Sequence, residues 1–188
     1  AQLGTIFKDK LAISLKGIEW KGEKYPLESI KTVSWGGTRH SVNGIPTGTN
    51  YTINFSDGNR SQTIETRKQE VYSEFIQRLW QGVCVRLMFE MLIAFQEGKK
   101  LHFAGIAVDD NGVELTRAKF FKSEKVYVKW GDVHILNANG CFVIRSKTEK
   151  NVSCQMPYIT TANAHVLEHI ISTAFKSWRG RLSGLLEK

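Results

Sequence analysis

Four cations lie close together in the second half of the chain: Arg117, Lys119, Lys122 and Lys125 surround Phe120-Phe121. Long flexible stems let several cationic heads gather around one anion while neighbouring aromatic rings enter the interface. The chemistry would be non-covalent capture of a phosphate or other anionic headgroup. The same residues also read as two inward phenylalanines with a solvated basic rim, and composition leaves both readings open. The charge balance points the same way. The chain carries +8 overall, with 12 Lys and Arg against 10 Asp and Glu in residues 1–98 and 14 against 8 in residues 99–188. Any anion site therefore belongs to the second half. Replacing all four cations with Ser is expected to weaken such binding strongly and to change melting little.

Covalent chemistry finds less support. There is no Gly-rich phosphate loop, nucleophile elbow or zinc-protease helix motif. His165 and His169 are four apart and would share a helix face, as two metal ligands must. Glu168 adjoins the second of them, and no third ligand stands out, so both read as surface or half-buried histidines. His40, His102 and His134 are scattered. Cys84, Cys141 and Cys154 are an odd, widely spaced set among apolar neighbours, which reads as buried free thiols and neither a disulfide framework nor a zinc site. The expectation is a non-enzymatic chain with no cofactor and no metal. A pI of 9.4 permits nucleic acid, but the dispersed basic residues and the lack of a stacking platform rank that partner behind protein and lipid.

The elements that must carry these residues are organised by a repeat. Residues 17–35 read GIEWKGEKYPLESIKTVSW and residues 112–130 read GVELTRAKFFKSEKVYVKW, a constant offset of 95. Ala12-Ile13 matches Ala107-Val108, Trp35-Gly36 matches Trp130-Gly131, and residues 51–55 match 141–145 after loops of unequal length. Val71, Phe75, Ile76, Leu79 and Trp80 then match Val166, Ile170, Ile171, Ala174 and Phe175, again 95 apart. Such self-similarity fixes domain organisation before local propensity does. Two modules, 1–98 and 99–188, are expected, with the boundary at Gly98-Lys99-Lys100. Lys21 and Lys24 of the first copy stand beside Glu23, so that copy lacks the basic cluster.

Within each module, short alternating runs predict strands. In the first they cover residues 10–15, 18–20, 30–35, 51–55 and 61–65, with Pro26 interrupting one and residues 36–48 a Gly-, Pro- and Asn-bearing loop with at most one edge strand. Asp57-Gly58 marks a hairpin. Apolar positions 71, 72, 75, 76, 79, 80 and 83 then predict a helix, with Thr66 as cap, continuing to residue 95 with a kink at Gly82. The second module predicts strands over 101–108, 113–116, 126–130, 133–137, 141–146 and 152–157. Asn163 caps its helix, whose apolar positions are 166, 167, 170, 171, 174, 175 and 178. The final run, with Trp178, Leu182 and Leu185 among Lys and Arg, is either an interfacial amphipathic helix or, as preferred, a helix end docked on its own module. No run of about 20 apolar residues spans a bilayer, residues 83–95 being shorter and carrying Arg86 and Glu90. The N-terminus lacks a signal-peptide pattern, so a cytoplasmic chain, free or against a membrane face, is expected. The sequons at Asn50, Asn59 and Asn151 are then chance.

Bent antiparallel strands closed by one C-terminal helix resemble the pleckstrin-homology-like superfold. Gly112-Val-Glu, Val-Lys-Trp130-Gly-Asp132, Asn139-Gly-Cys-Phe142 and a helix opening Asn163-Ala-His-Val-Leu167 are similar to bacterial pleckstrin-homology-like domains. The resemblance covers nearly the whole chain as two copies, each an α+β, mainly β module of about six or seven strands. It implies a helix that plugs a barrel and a binding module for protein, scaffold or lipid partners. In the members that bind phosphoinositides, basic residues of the first two strands and their loop hold the phosphates. Here the Arg117, Lys119, Lys122 and Lys125 cluster falls a strand later.

Overall fold

The structure, a computed structural model, describes residues 2–3, 11–14, 16–117, 123–177 and 179–187. The protein is a mixed α+β chain of antiparallel sheets and one long helix, and it divides into two compact units, residues 1–87 and 88–188. That division falls inside the long helix, between Leu87 and Met88, ahead of Gly98-Lys99-Lys100.

The first unit begins with a four-stranded meander of β1 (Gln2–Leu3), β2 (Leu11–Ser14), β3 (Gly17–Trp20) and β4 (Glu23–Tyr25). A 3-10 turn, Leu27–Ser29, follows Pro26 and leads into a three-stranded meander of β5 (Thr32–Val42), β6 (Ile45–Ser56) and β7 (Ser61–Thr66). Alternation puts Leu11, Ile13, Ile18, Trp20, Val33, Trp35, Ile53, Phe55 and Ile64 inside, where each buried aliphatic or aromatic side chain contributes about 1.5–3 kcal/mol. No sheet among the described residues closes into a barrel.

Residues 36–48, expected as loop, are instead the end of a long hairpin. β5 and β6 pair from Thr32↔Ser56 out to Val42↔Ile45, with a bulge between His40 and Ser41. Asn43 (φ 52°) and Gly44 (φ 80°) make the two-residue turn, a conformation open to Asn and Gly because both tolerate positive φ. Val42 and Ile45 at the tip are 61% and 69% exposed. Asn43-Gly44 was the available signal, masked by polar flanks with no alternation to follow. The β6–β7 turn forms at Asp57-Gly58. Asp57 Oδ1 accepts bonds from the backbone N–H of Asn59 and Arg60 at 2.9 and 2.8 Å, and Oδ2 accepts from the Arg60 side chain.

The helix begins as α1 (Gln69–Leu79), passes through a π-turn at Trp80–Cys84, and continues as α2 (Val85–Gln96). Thr66 does not cap it. Lys68 holds the cap position, and the Thr66 hydroxyl accepts a bond from the Lys68 N–H. The π-turn sits at the expected Gly82. A Cβ on Gly82 would lie 2.7 Å from Leu27 Cδ1, so the glycine lets the 3-10 turn approach the helix. One turn later the Arg86 guanidinium donates to the carbonyls of Leu27 and Ile30, holding that turn in place. The whole helix, 28 residues with an 18-residue window of mean hydropathy 1.2, is long and apolar enough to cross a membrane, although 39% of that window is buried inside the protein. Core helices of globular proteins share those properties.

The strands of the second unit begin after Gly98 (φ 76°) ends the helix. The strand expected over 101–108 is two, β8 (Leu101–Phe103) and β9 (Ile106–Val108), because Ala104 and Gly105 turn the chain at positive φ. β10 (Gly112–Arg117) and β11 (Glu124–Lys129) complete a four-stranded meander. A 3-10 turn at Trp130–Asp132 precedes β12 (Val133–Ala138), β13 (Cys141–Ser146) and β14 (Val152–Pro157), a second three-stranded meander. Here the two meanders join, because Thr116 and Arg117 also pair with Ser153 and Val152. The closing helix α3 (Ala164–Lys176) starts 95 residues after α1. Asn163 holds its cap position in a left-handed conformation but makes no side-chain cap bond. The helix stops at Lys176, so the C-terminal run is no helix extension. It folds into a 3-10 turn, Ser183–Leu186, packed on α3.

Gly82→Val is expected to destabilise the first unit by about 1–3 kcal/mol, because the added branch must displace buried Leu27; urea melts of both proteins measure it. The Asp57 carboxyl is held down to about 2, chiefly by the backbone N–H groups of Arg60 and Asn59. A carboxyl below its unfolded value near 3.9 stabilises above that value, and the contribution disappears as pH falls from about 4 to about 2. Asp57→Asn should flatten that part of the stability–pH curve, and a difference unchanged between pH 6 and 2 would contradict it.

Candidate interaction sites

Strand pairing decides how the basic cluster is laid out. Arg117 faces Glu124 and Lys125 faces Thr116 across β10 and β11. Cross-strand partners share a face and successive residues alternate, so Arg117 and Lys125 project to opposite faces. Arg117 continues the inward series of Val113 and Leu115. Its guanidinium ion-pairs with Glu124 at 3.2 Å and with both oxygens of Glu149 at 2.8 and 2.6 Å. Two carboxylates at the surface thus answer its charge. Lys125 donates to the Gly105 carbonyl. Lys119, Lys122 and the Phe120-Phe121 pair lie outside the described residues. Arg117 therefore ties strands together, a role the sequence concealed because Glu149 is 32 residues away.

His165 stacks on Tyr158 at 4.1 Å, and the Tyr158 hydroxyl lies 2.7 Å from Glu168 Oε2. Asn137 donates to the other Glu168 oxygen at 2.8 Å. Burial, followed by the Glu168 contact, raises the Tyr158 pKa. Among the described residues no group of three His, Cys, Asp or Glu could hold a metal. Of the thiols only Cys84 is buried, and burial pushes its pKa up to about 12; Cys141 and Cys154 are half-exposed.

The most developed surface is aromatic. In the first unit Trp35 meets Trp80 edge-on, ring centres 6.1 Å apart; in the second Trp130 meets Phe175 edge-on at 6.2 Å. Both pairs are 95 apart in sequence from their counterparts, and each joins a Trp, from within β5 or just after β11, to the helix. Beside Trp35 and Trp80 runs a groove of about 520 Å³, with Tyr72, Ile76, Gln77 and Gln81 on its helix wall. Tyr72 also stacks on Tyr51 at 4.5 Å, and burial followed by the nearby Tyr51 raises its pKa to about 12.

Beside Trp130 and Phe175 lies a smaller cleft of about 290 Å³, and Leu182 of the chain's own tail forms part of its wall. Leu182 is fully buried. Asp110 anchors this tail. Its carbonyl accepts from Trp130 Nε1 at 3.0 Å and from the Leu182 N–H at 3.1 Å, while its carboxylate accepts from the Ser183 N–H and hydroxyl at 2.6 and 2.7 Å. The docked tail matches the preferred reading of the C-terminal run, though as a turn; Trp178 lies outside the described residues. Sequence periodicity placed Tyr72, Trp80 and Phe175 on the helices but gave no sign that one set would line an open groove.

Because Arg117 is part of the fold, Arg117→Ser should lower stability by about 1 kcal/mol, leaving Glu124 and Glu149 without their shared cation. The loss should shrink at high salt, whereas Lys125→Ser on the outward face should stay within about 0.5 kcal/mol of the parent. Equal losses from both variants in urea melts would contradict the assignment.

Comparison with known proteins places no relative beside this geometry: no family model, curated protein or solved structure matches the chain.

Proposed function

We propose that the chain is a non-catalytic binding module of two pleckstrin-homology-like units, and that it holds a protein partner in the aromatic groove of the first. Each unit runs a four-stranded meander, a three-stranded meander and a closing helix, the order the resemblance implies. The observation that carries the partner reading is a difference between equivalent helix positions. Leu167 and Ile171 of α3 are fully buried, whereas Tyr72 and Ile76, 95 residues earlier on α1, are half-exposed beside Trp35 and Trp80. Half-buried aromatic residues are the side chains that dominate protein interfaces. A lipid surface is the rival, and the pairing of Arg117 with Glu124 and Glu149 weighs against the basic cluster as its headgroup site.

Peptides selected from a random library on the immobilised chain test this reading. Binders that compete with one another and are lost on the Ile76→Asp chain, with micromolar affinity equivalent to about 8 kcal/mol, are expected. Sedimentation with vesicles is the counterpart. Pelleting with anionic lipid at low salt, abolished by Lys119→Ser and Lys122→Ser, would move the function to a membrane surface.

A further inference from the structure

We propose that the tip of the β5–β6 hairpin seats the chain shallowly on an anionic lipid surface, independently of the groove. β7 pairs with β6 only from Tyr51 to Ser56, whereas β5 and β6 stay paired out to Val42↔Ile45. The five pairs from Thr38↔Asn50 onward therefore carry a two-stranded ribbon about 17 Å beyond the end of β7. Residues 37–48 are exposed throughout. A bare two-stranded ribbon is marginal in water and adds nothing to the core. Yet it ends in Val42 and Ile45, the most exposed large apolar side chains among the described residues. Cross-strand partners share a face, so the two stand together at the tip, on either side of the Asn43-Gly44 turn. Pro46, next on β6, brings no N–H to the ribbon edge.

Charge and reach name the occupant. No Asp or Glu occurs from Ser29 to Ser56, and Lys31 and Arg39 make that span cationic. Exposed Arg39 lies three residues behind Val42, about 10 Å along the strand. An interfacial element buries its apolar side about 5–10 Å into the boundary between headgroups and acyl chains. The tip thus reaches the acyl chains while the Arg39 guanidinium stays level with the phosphates. Arg67, whose Nε donates to Asn50 Oδ1 at 2.9 Å, adds a second cation at the base of the ribbon. A protein partner fits this shape less well. A convex point of two side chains covers far less than the roughly 800 Å² that each partner buries in a specific interface, whereas lipid moulds itself to any apolar point.

The test is sedimentation of the full chain at low salt with vesicles of phosphatidylcholine containing about one-third phosphatidylserine. Saturable pelleting is expected, absent with phosphatidylcholine alone and reduced by salt. Val42→Ser with Ile45→Ser should weaken it roughly hundredfold, and Arg39→Ser about fivefold. All three residues are exposed, so the melting temperatures of these variants should match the parent's. Ile45→Trp reports the contact itself. Its emission in excess of the parent's should be quenched by phosphatidylcholine brominated along its acyl chains. No pelleting, pelleting that survives the double tip variant, or an unquenched Ile45→Trp would each overturn the proposal. Loss on Lys119→Ser with Lys122→Ser, while the double tip variant pellets normally, would overturn it in favour of the basic cluster. Library peptides that bind the parent and the Ile76→Asp chain but not the double tip variant, with no pelleting, would assign the tip to a protein partner instead.

Discussion

Each unit is closed by an indole set edge-on against an aromatic ring of its last helix. The geometry suits the quadrupoles of both rings and is worth about 0.5–1.5 kcal/mol beyond the area it buries. Its position matters more than its strength. Trp35 lies near the start of β5 and Trp130 just after β11, while Trp80 sits mid-way along its helix and Phe175 next to the end of α3. The contact therefore fixes how far along the helix each strand system reaches. The repeated glycine does related work within the sheets. A Cβ on Gly17 would lie 2.5 Å from the Tyr25 carbonyl oxygen, and one on Gly112 equally close to that of Val128. Both glycines let neighbouring strands approach to a distance no other residue allows.

The long helix obeys a second constraint. Phe75, Leu79, Val83, Leu87, Met91 and Phe95 are all buried, and each is four residues after the last. In an unbroken α-helix a spacing of four drifts, and over this span it would swing the apolar line by about 200°. One extra residue in a π-turn takes back about 100° of that rotation. The Trp80–Cys84 turn thus keeps an apolar series with a period of four usable over its full length. The choice of Gly82 at its centre follows from the same place, since the turn also meets Leu27.

How much of this was legible follows from where the determining contacts lie in sequence. Spacing alone located both helices and the aromatic positions on them, because a helix face is written in residues three and four apart. Asp57-Gly58 placed its hairpin because the turn is local. The β5–β6 hairpin is not legible, since Thr, Ser and Gly on both faces of its outer half leave no alternation. The ion pairs of Arg117 are not legible, because nothing near it in sequence announces Glu149. The half-exposure of Tyr72 and Ile76 depends on whether a distant segment folds over them, which no local pattern records.

A helix that runs on past its own aromatic clasp has a consequence for any protein assembled this way. Copies joined end to end through an unbroken helix are never equivalent, even if their sequences were identical, because only a copy whose helix stops can return its chain across its own surface. An internal copy must cover that face with some other segment or leave it half-exposed, as Tyr72 and Ile76 are here. Vacancy of this kind is a property of connectivity. Point mutation within the unit cannot remove it without filling the corner from the side chains already there.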